Sequence, residues 1–203
     1  EITSFEISSD GRTIAAGTQE GETIIMDLKD PSVQRSLGRL REKISDPELA
    51  LDISVIKFSP DGKLVASASS YENVSVWEQE TGRLLYEYPH GVKAGTLAFS
   101  NDGTYLAAAG QYFTVWDMRS GVEILKLTNY EEVQDIVFSP NGDLVFVALV
   151  LEKVLVLDAK TWQILRTIDA GKRNMILSLE INQNGSLLAV NDYHGQIRIW
   201  GIR

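Results

Sequence analysis

The sequence predicts an all-β protein made of five repeats, each a small four-stranded sheet. Three observations predict it. A tight turn recurs in one form, first as Ile7-Ser8-Ser9-Asp10-Gly11 and Phe58-Ser59-Pro60-Asp61-Gly62. It returns as Phe99-Ser100-Asn101-Asp102-Gly103, Phe138-Ser139-Pro140-Asn141-Gly142 and Ile181-Asn182-Gln183-Asn184-Gly185. After each glycine a tryptophan or its stand-in (Met26, Trp77, Trp116, Leu157, Trp200) follows at 15, 15, 13, 15 and 15 residues. Between these marks the chain reads as short strands. Such a period means that one unit cannot bury its own faces and must stack on its neighbours.

The units follow in order. The turn glycines recur after 51, 41, 39 and 43 residues, against the roughly 40–45 residues of a four-stranded propeller blade. In the second unit Leu64–Ala68, Val74–Trp77 and Leu84–Tyr88 are the clearest strands. In the fourth, Leu144–Leu151 is apolar on both sides, as expected of a sheet packed between two others. The Asx-Gly pairs read as hairpin turns in which glycine supplies positive φ. Glu78–Gly82 and Asp117–Gly121 read as the next turn of their units, where Trp162 takes the glycine's place in the fourth. Helical spacing is confined to Val33–Ile44. The fifth unit stops after its third strand, which leaves an unpaired edge.

Ser59-Pro60-Asp61-Gly62 followed by Trp77, and the pair Trp116-Asp117, are similar to the repeats of the WD-repeat β-propeller family, and the resemblance covers nearly the whole chain, 1–203. The family often places a histidine nine residues before the turn phenylalanine and an aspartate in the later hairpin, as a buried relay. Here only His90 falls at the first position, and the second holds Tyr71, Gly110 and His194, so the blades are expected to be held by packing. The resemblance implies five blades of a larger ring of about seven. Missing N-terminal blades, or oligomerisation, would complete it.

Composition narrows the function. The net charge is −9, spread along the chain, so nucleic-acid binding is not expected. No cysteine is present, which removes disulfides, thiolate metal sites and cysteine nucleophiles. No stretch approaches the ~20 apolar residues of a membrane span, and a cytoplasmic setting is expected. His90 and His194 lack ligand-spaced partners, no serine sits in a strand–turn–helix elbow, and the glycines stand singly at turns. No catalytic residue, metal ligand or cofactor site is expected. The rival reading is an exported bacterial-type propeller related to lactonases and quinoprotein enzymes. It would hold a metal or cofactor in its channel, for which Asp135 and Glu180 are the only acids at plausible positions.

The expected function is therefore non-catalytic protein–protein interaction, as a scaffold or sensor domain of a larger protein. The contacts are expected on one face. The first interval is about ten residues longer than its neighbours, and the excess falls in 38–52. There Leu37, Leu40 and Ile44 have helical spacing and Arg35, Arg39, Arg41 and Lys43 form a basic island. Tyr71, Tyr112 and Tyr193 fall between the second and third strands of their units, on that same face, and Lys172 and Arg173 in an inter-unit loop. Tyrosine and arginine dominate interface hot spots. Trp162 is read as a second contact or as a cover between blades.

Overall fold

A computed structural model describes residues 1–39, 52–69, 73–89, 94–128, 132–171 and 175–202. Among them there is no helix. Nineteen strands form five antiparallel sheets. The first is β1(Ile2–Ile7)–β2(Thr13–Thr18)–β3(Glu22–Asp27)–β4(Gln34–Arg39) and the second β5(Ile53–Phe58)–β6(Leu64–Ser69)–β7(Asn73–Glu78)–β8(Leu84–Pro89). The third is β9(Ala94–Phe99)–β10(Tyr105–Gly110)–β11(Phe113–Asp117)–β12(Glu123–Leu127). The fourth is β13(Val133–Phe138)–β14(Leu144–Leu149)–β15(Lys153–Asp158)–β16(Ile164–Asp169). The fifth has only β17(Ile176–Ile181), β18(Leu187–Asp192) and β19(Ile197–Gly201), as its missing fourth strand in the sequence implied. Two compact units result, Glu1–Phe99 and Ser100–Arg203.

The repeated turn explains why each sheet starts as it does. Ser8, Ser59, Ser100 and Ser139 each donate Oγ–H at 2.7 Å to the Asx carboxyl or amide oxygen two residues on. The same hydroxyls accept the N–H five residues on, at 2.9 Å. In the fifth sheet Asn182 replaces the serine, and its side-chain oxygen accepts the Leu187 N–H at 2.8 Å. The turn glycine follows at positive φ, 67–73° in the five copies, a region closed to most side chains. Local hydrogen bonding thus closes the first hairpin of every sheet from within the turn itself.

The sheets then stack through their apolar faces. In the first unit Ala15, Ile25 and Leu37 of one sheet and Ile53, Ile56, Phe58, Val65 and Trp77 of the next form one buried cluster. Backbones approach so closely that side chains are excluded at two places. A Cβ on Gly17 would lie 2.4 Å from Ile53, and one on Gly38 would lie 2.3 Å from the Trp77 ring. Hydroxyls add direction: Thr3 and Ser4 donate to the Ile53 carbonyl at 2.7 and 2.8 Å, and Ser54 to that of Ala94 at 2.9 Å. Glu6 pairs with Lys57 at 2.6 Å and accepts the Phe58 N–H. In the second unit Phe146, Val154 and Val156 pack against Ile176, Leu179, Leu188 and Val190.

An outer strand at Val33–Leu37, which places the extra length at 38–52, agrees with the structure, and the helical reading of Leu37, Leu40 and Ile44 is corrected at its described end. Gln34–Arg39 is the outer strand β4, in register with β3. Arg35 and Arg39 therefore lie on one extended strand, about 13 Å apart at ~3.3 Å per residue, rather than one helical turn from each other. Pairing with β3 wins because Leu37 is then buried against the second sheet, at 5% exposure.

Candidate functional site

Strand direction divides the loops of every sheet between two ends. The Ser-x-Asx-Gly turns and the third-to-fourth turns share one end. The second-to-third hairpin tips and the exits toward the next sheet share the other, the connection end.

The turn end is occupied by its own bonds. Asp117 accepts the N–H groups of Arg119 and Ser120, and Asp158 those of Lys160 and Thr161. These N–H donors, led by Ser120 and by Thr161, hold both carboxyls below the ordinary value. At Asp10 the Ser8 hydroxyl does the same. At Asp61 and Asp102 burial opposes ionisation, but the serine hydroxyls and N–H donors outweigh it. Arg35, from the first sheet, donates to the carbonyls of Gln79 and Glu80 in the second, so it braces a turn. Grooves open between successive turns: one of about 400 Å³ beside Asp10, Asp61 and Glu78 in the first unit, one of about 510 Å³ beside Asp102, Asp143 and Lys160 in the second. Each groove holds an ion pair on its wall, Lys63 on Asp61 at 3.1 Å and Lys160 on Asp143 at 3.0 Å.

Trp162 also lies at this end. Its φ is 59°, where Gly82 and Gly121 serve the equivalent turns. Its indole meets Tyr105 and Phe138 edge-on, at 5.1 and 6.4 Å between ring centres. Half-buried, it covers the gap between two sheets of the second unit.

Three of the remaining expected contacts, Arg39, Tyr112 and Tyr193, lie at the connection end. The others, Arg41, Lys43, Tyr71, Lys172 and Arg173, lie outside the described residues, as do His90 and most of the 38–52 insertion. Arg39 is exposed at the end of β4 and donates Nε–H to the Glu20 carbonyl at 2.6 Å. Tyr112 sits at the β10–β11 tip, half-buried, with the Lys126 ammonium 5.0 Å from its ring centre. Tyr193 sits at the β18–β19 tip, 68% exposed, with His194 edge-on at 6.0 Å. Tyr112 and Tyr193 therefore sit at second-to-third tips, as read from the sequence, whereas Arg39 ends strand β4 rather than lying in the inserted loop. Arg39 and Tyr112 are partly engaged by their own sheets, whereas most of the Tyr193 ring faces solvent.

Two acids behave in ways spacing did not reveal. Asp135 accepts the Leu179 N–H of the next sheet at 2.8 Å, a bond between sheets; Glu180 is exposed. Asp192, 1% exposed, accepts the N–H groups of His194 and Gln196 at 3.0 Å and pairs with Arg198 at 3.0 Å. Burial alone would raise its pKa; these donors hold it below the ordinary value. Its place in a polar hairpin tip was the signal available, and the buried environment was not. Among the described residues no three His, Asp or Glu side chains gather as a metal site, and no helix is long and apolar enough to cross a membrane.

Comparison with known proteins agrees with this geometry. The model of the WD domain, G-beta repeat matches residues 48–78. Protein groucho of Drosophila melanogaster is 27% identical over 161 residues, covering 78% of this chain and 21% of Groucho. The solved β-propeller domain of Cps50 (Swd1) from Myceliophteria thermophila superposes with a TM-score of 0.81 at 20% identity, over 100% of this chain and 66% of that one. The chain thus spans about a fifth of the first relative and under two thirds of the second. Recurrent turns, stacked sheets and these likenesses converge: the sheets are blades of the β-propeller type, and the chain is similar to WD-repeat proteins.

Proposed function

We propose that the chain is a non-catalytic scaffold or sensor module that captures another protein through the loops of its connection end. The carrying observation is the contrast between its ends. Turn-end carboxyls and cations are consumed by local bonds, whereas the connection end presents Tyr193 with two thirds of its surface open. A rigid sheet scaffold that displays an aromatic side chain suits recognition, since little conformational entropy is lost on binding. In this reading Tyr71, Tyr112 and Tyr193 supply contact area, with Arg39, Arg41, Lys43, Lys172 and Arg173 as cationic contacts around them.

The same proposal takes the chain as part of a larger ring. Its support is the apolar surface left open on the first and last sheets. Ile2, Phe5 and Ile7 are 50–66% exposed on β1, and Ile197 and Ile199 are 69% and 65% exposed on β19.

The test is capture of a partner from the native source by the wild-type chain and by a Tyr71→Ala/Tyr112→Ala/Tyr193→Ala variant. Capture should be abolished with the far-UV circular dichroism unchanged. Retained capture by a folded variant would sink the assignment of these tips.

A further inference from the structure

Along the connection end of the second unit, three large apolar side chains from three separate segments come to lie side by side. Leu151, at the β14–β15 tip, forms an isolated antiparallel bridge with Met175, on the segment entering β17. The Tyr193 N–H, from the β18–β19 tip, donates to the Met175 carbonyl at 2.9 Å. Neighbouring backbones paired in this way are about 5 Å apart, so the three residues follow one another in one row across the paired segments. Their exposures are 50%, 36% and 68%.

The fold does not require apolar residues here. Counted from the turn glycine or the end of the inner strand, the equivalent residues of the first two sheets are Glu20, Asp52 and Ser70. The row is also held stiffly. Val150 N–H donates to the Glu132 carbonyl at 2.8 Å, Ala170 N–H to that of Glu152 at 2.6 Å, and Ile176 N–H to that of Val150 at 3.2 Å. Glu152 adopts φ 68° where the equivalent tips use Gly21 and Gly195. A non-glycine residue in that region is kept there by its surroundings, so Leu151 is displayed from a turn with little freedom.

We propose that the Leu151–Met175–Tyr193 row is a docking site for a short peptide segment of another protein that carries two neighbouring apolar side chains. The available area selects this occupant. A half-exposed leucine, a methionine one-third exposed and a tyrosine two-thirds exposed offer roughly 300 Å², the size of a functional patch on a monomer. That is well below the ~800 Å² per partner of a standard interface between folded proteins. A folded domain or a second copy gains too little here. Two apolar side chains seated between three fixed ones match the row. This inference rests on the connection end being the partner-binding face, and narrows it to one row and one class of ligand.

The experiment selects short random peptides displayed on phage against the full chain, then measures the enriched peptide by fluorescence anisotropy on three proteins. These are the wild type, Leu151→Ser/Met175→Ser/Tyr193→Ser, and Val122→Ser, whose 56%-exposed side chain lies at the turn end. The expected result is an enriched peptide with adjacent apolar residues that binds the triple variant about tenfold or more weakly and Val122→Ser as tightly as the wild type. All three row residues are exposed, so the triple variant should melt as the wild type does. Should it fail to fold, the single variants Leu151→Ser and Tyr193→Ser take its place and should each weaken binding. Failure of any peptide to enrich, or equal binding to wild type and triple variant, overturns the row. Self-association of the wild type that the triple variant abolishes overturns it in favour of a second copy. Equal loss of binding in Val122→Ser overturns the row as well, and loss in a Tyr112→Ala variant with the triple variant binding as the wild type does overturns the row while leaving the wider face standing.

Discussion

Ser59 does two tasks that no apolar residue of its size can do. It donates to Asp61 and accepts from the Leu64 N–H, while only 2% exposed. The aspartates it and its equivalents hold are useful because they are ionised. Asp10, Asp61, Asp102, Asp117 and Asp158 are all held below their ordinary value of 3.8 in the folded chain. Their contribution to stability is thus fully present above that value and is lost as pH falls through the lower folded values. Urea midpoints should accordingly be level from neutral pH down to about pH 5, then drop steeply below about pH 4. A Ser59→Ala variant should lose about 1–2 kcal/mol at pH 7 and show a shallower acid decline, because Asp61 has lost its serine donor. An equal decline in both proteins would mean that the turn carboxyls do not govern acid stability.

The fourth sheet shows how an element absorbs a poor local choice. Trp162 and Glu152 are the two non-glycine residues at positive φ among the described residues, and they bracket β15. Trp162 tolerates this because its indole meets Tyr105 of the third sheet and Phe138 of its own sheet. Edge-on aromatic pairs are worth about 0.5–1.5 kcal/mol each beyond buried area, enough to outweigh the ~1–2 kcal/mol of a left-handed backbone. Trp162→Ala keeps the strain and loses the contacts, so it should cost about 2–3 kcal/mol. Trp162→Gly loses the same contacts but releases the strain, so it should recover about 1 kcal/mol of that. Thermal melts of the two variants decide this: a glycine variant less stable than the alanine variant would remove backbone strain from the account.

At the scale of the molecule, the first sheet of the first unit and the last sheet of the second each keep apolar residues exposed. Between successive sheets of the first unit such faces are closed by aliphatic side chains, hydroxyl-to-carbonyl bonds and glycines without room for a Cβ. On the last sheet, Leu177, Leu187, Ile197 and Ile199 remain 42–69% exposed beside an unpaired β19 edge. Surfaces of this kind associate. The chain by itself should therefore scatter light as more than 22.5 kDa at high concentration, and Ile197→Lys/Ile199→Lys should return it to the monomer mass. A wild type that stays monomeric at every concentration would remove these faces as blade-packing surfaces.

The repeat was legible because it rests on near neighbours. A serine, an Asx and a glycine within four residues close a turn whatever lies beyond, and the distance from Gly62 to Trp77 is the length of one hairpin. Trp162 was legible for the same reason, as a misfit in a glycine position. Arg35 and Arg39 were not, since Leu37, Leu40 and Ile44 satisfy a helical period while Arg35, Leu37 and Arg39 satisfy a period of two. Only pairing with β3 chose between them. Asp135 could be seen as an acid on an inner strand, but its bond to Leu179 spans 44 residues. The row of Leu151, Met175 and Tyr193 has intervals of 24 and 18 residues and no period at all. Turn geometry is set by hydrogen bonds and φ preferences within a few residues, so composition and spacing carry it. Which distant side chains share a surface is set by how sheets stack and where their connections land, and that follows from packing over the whole fold.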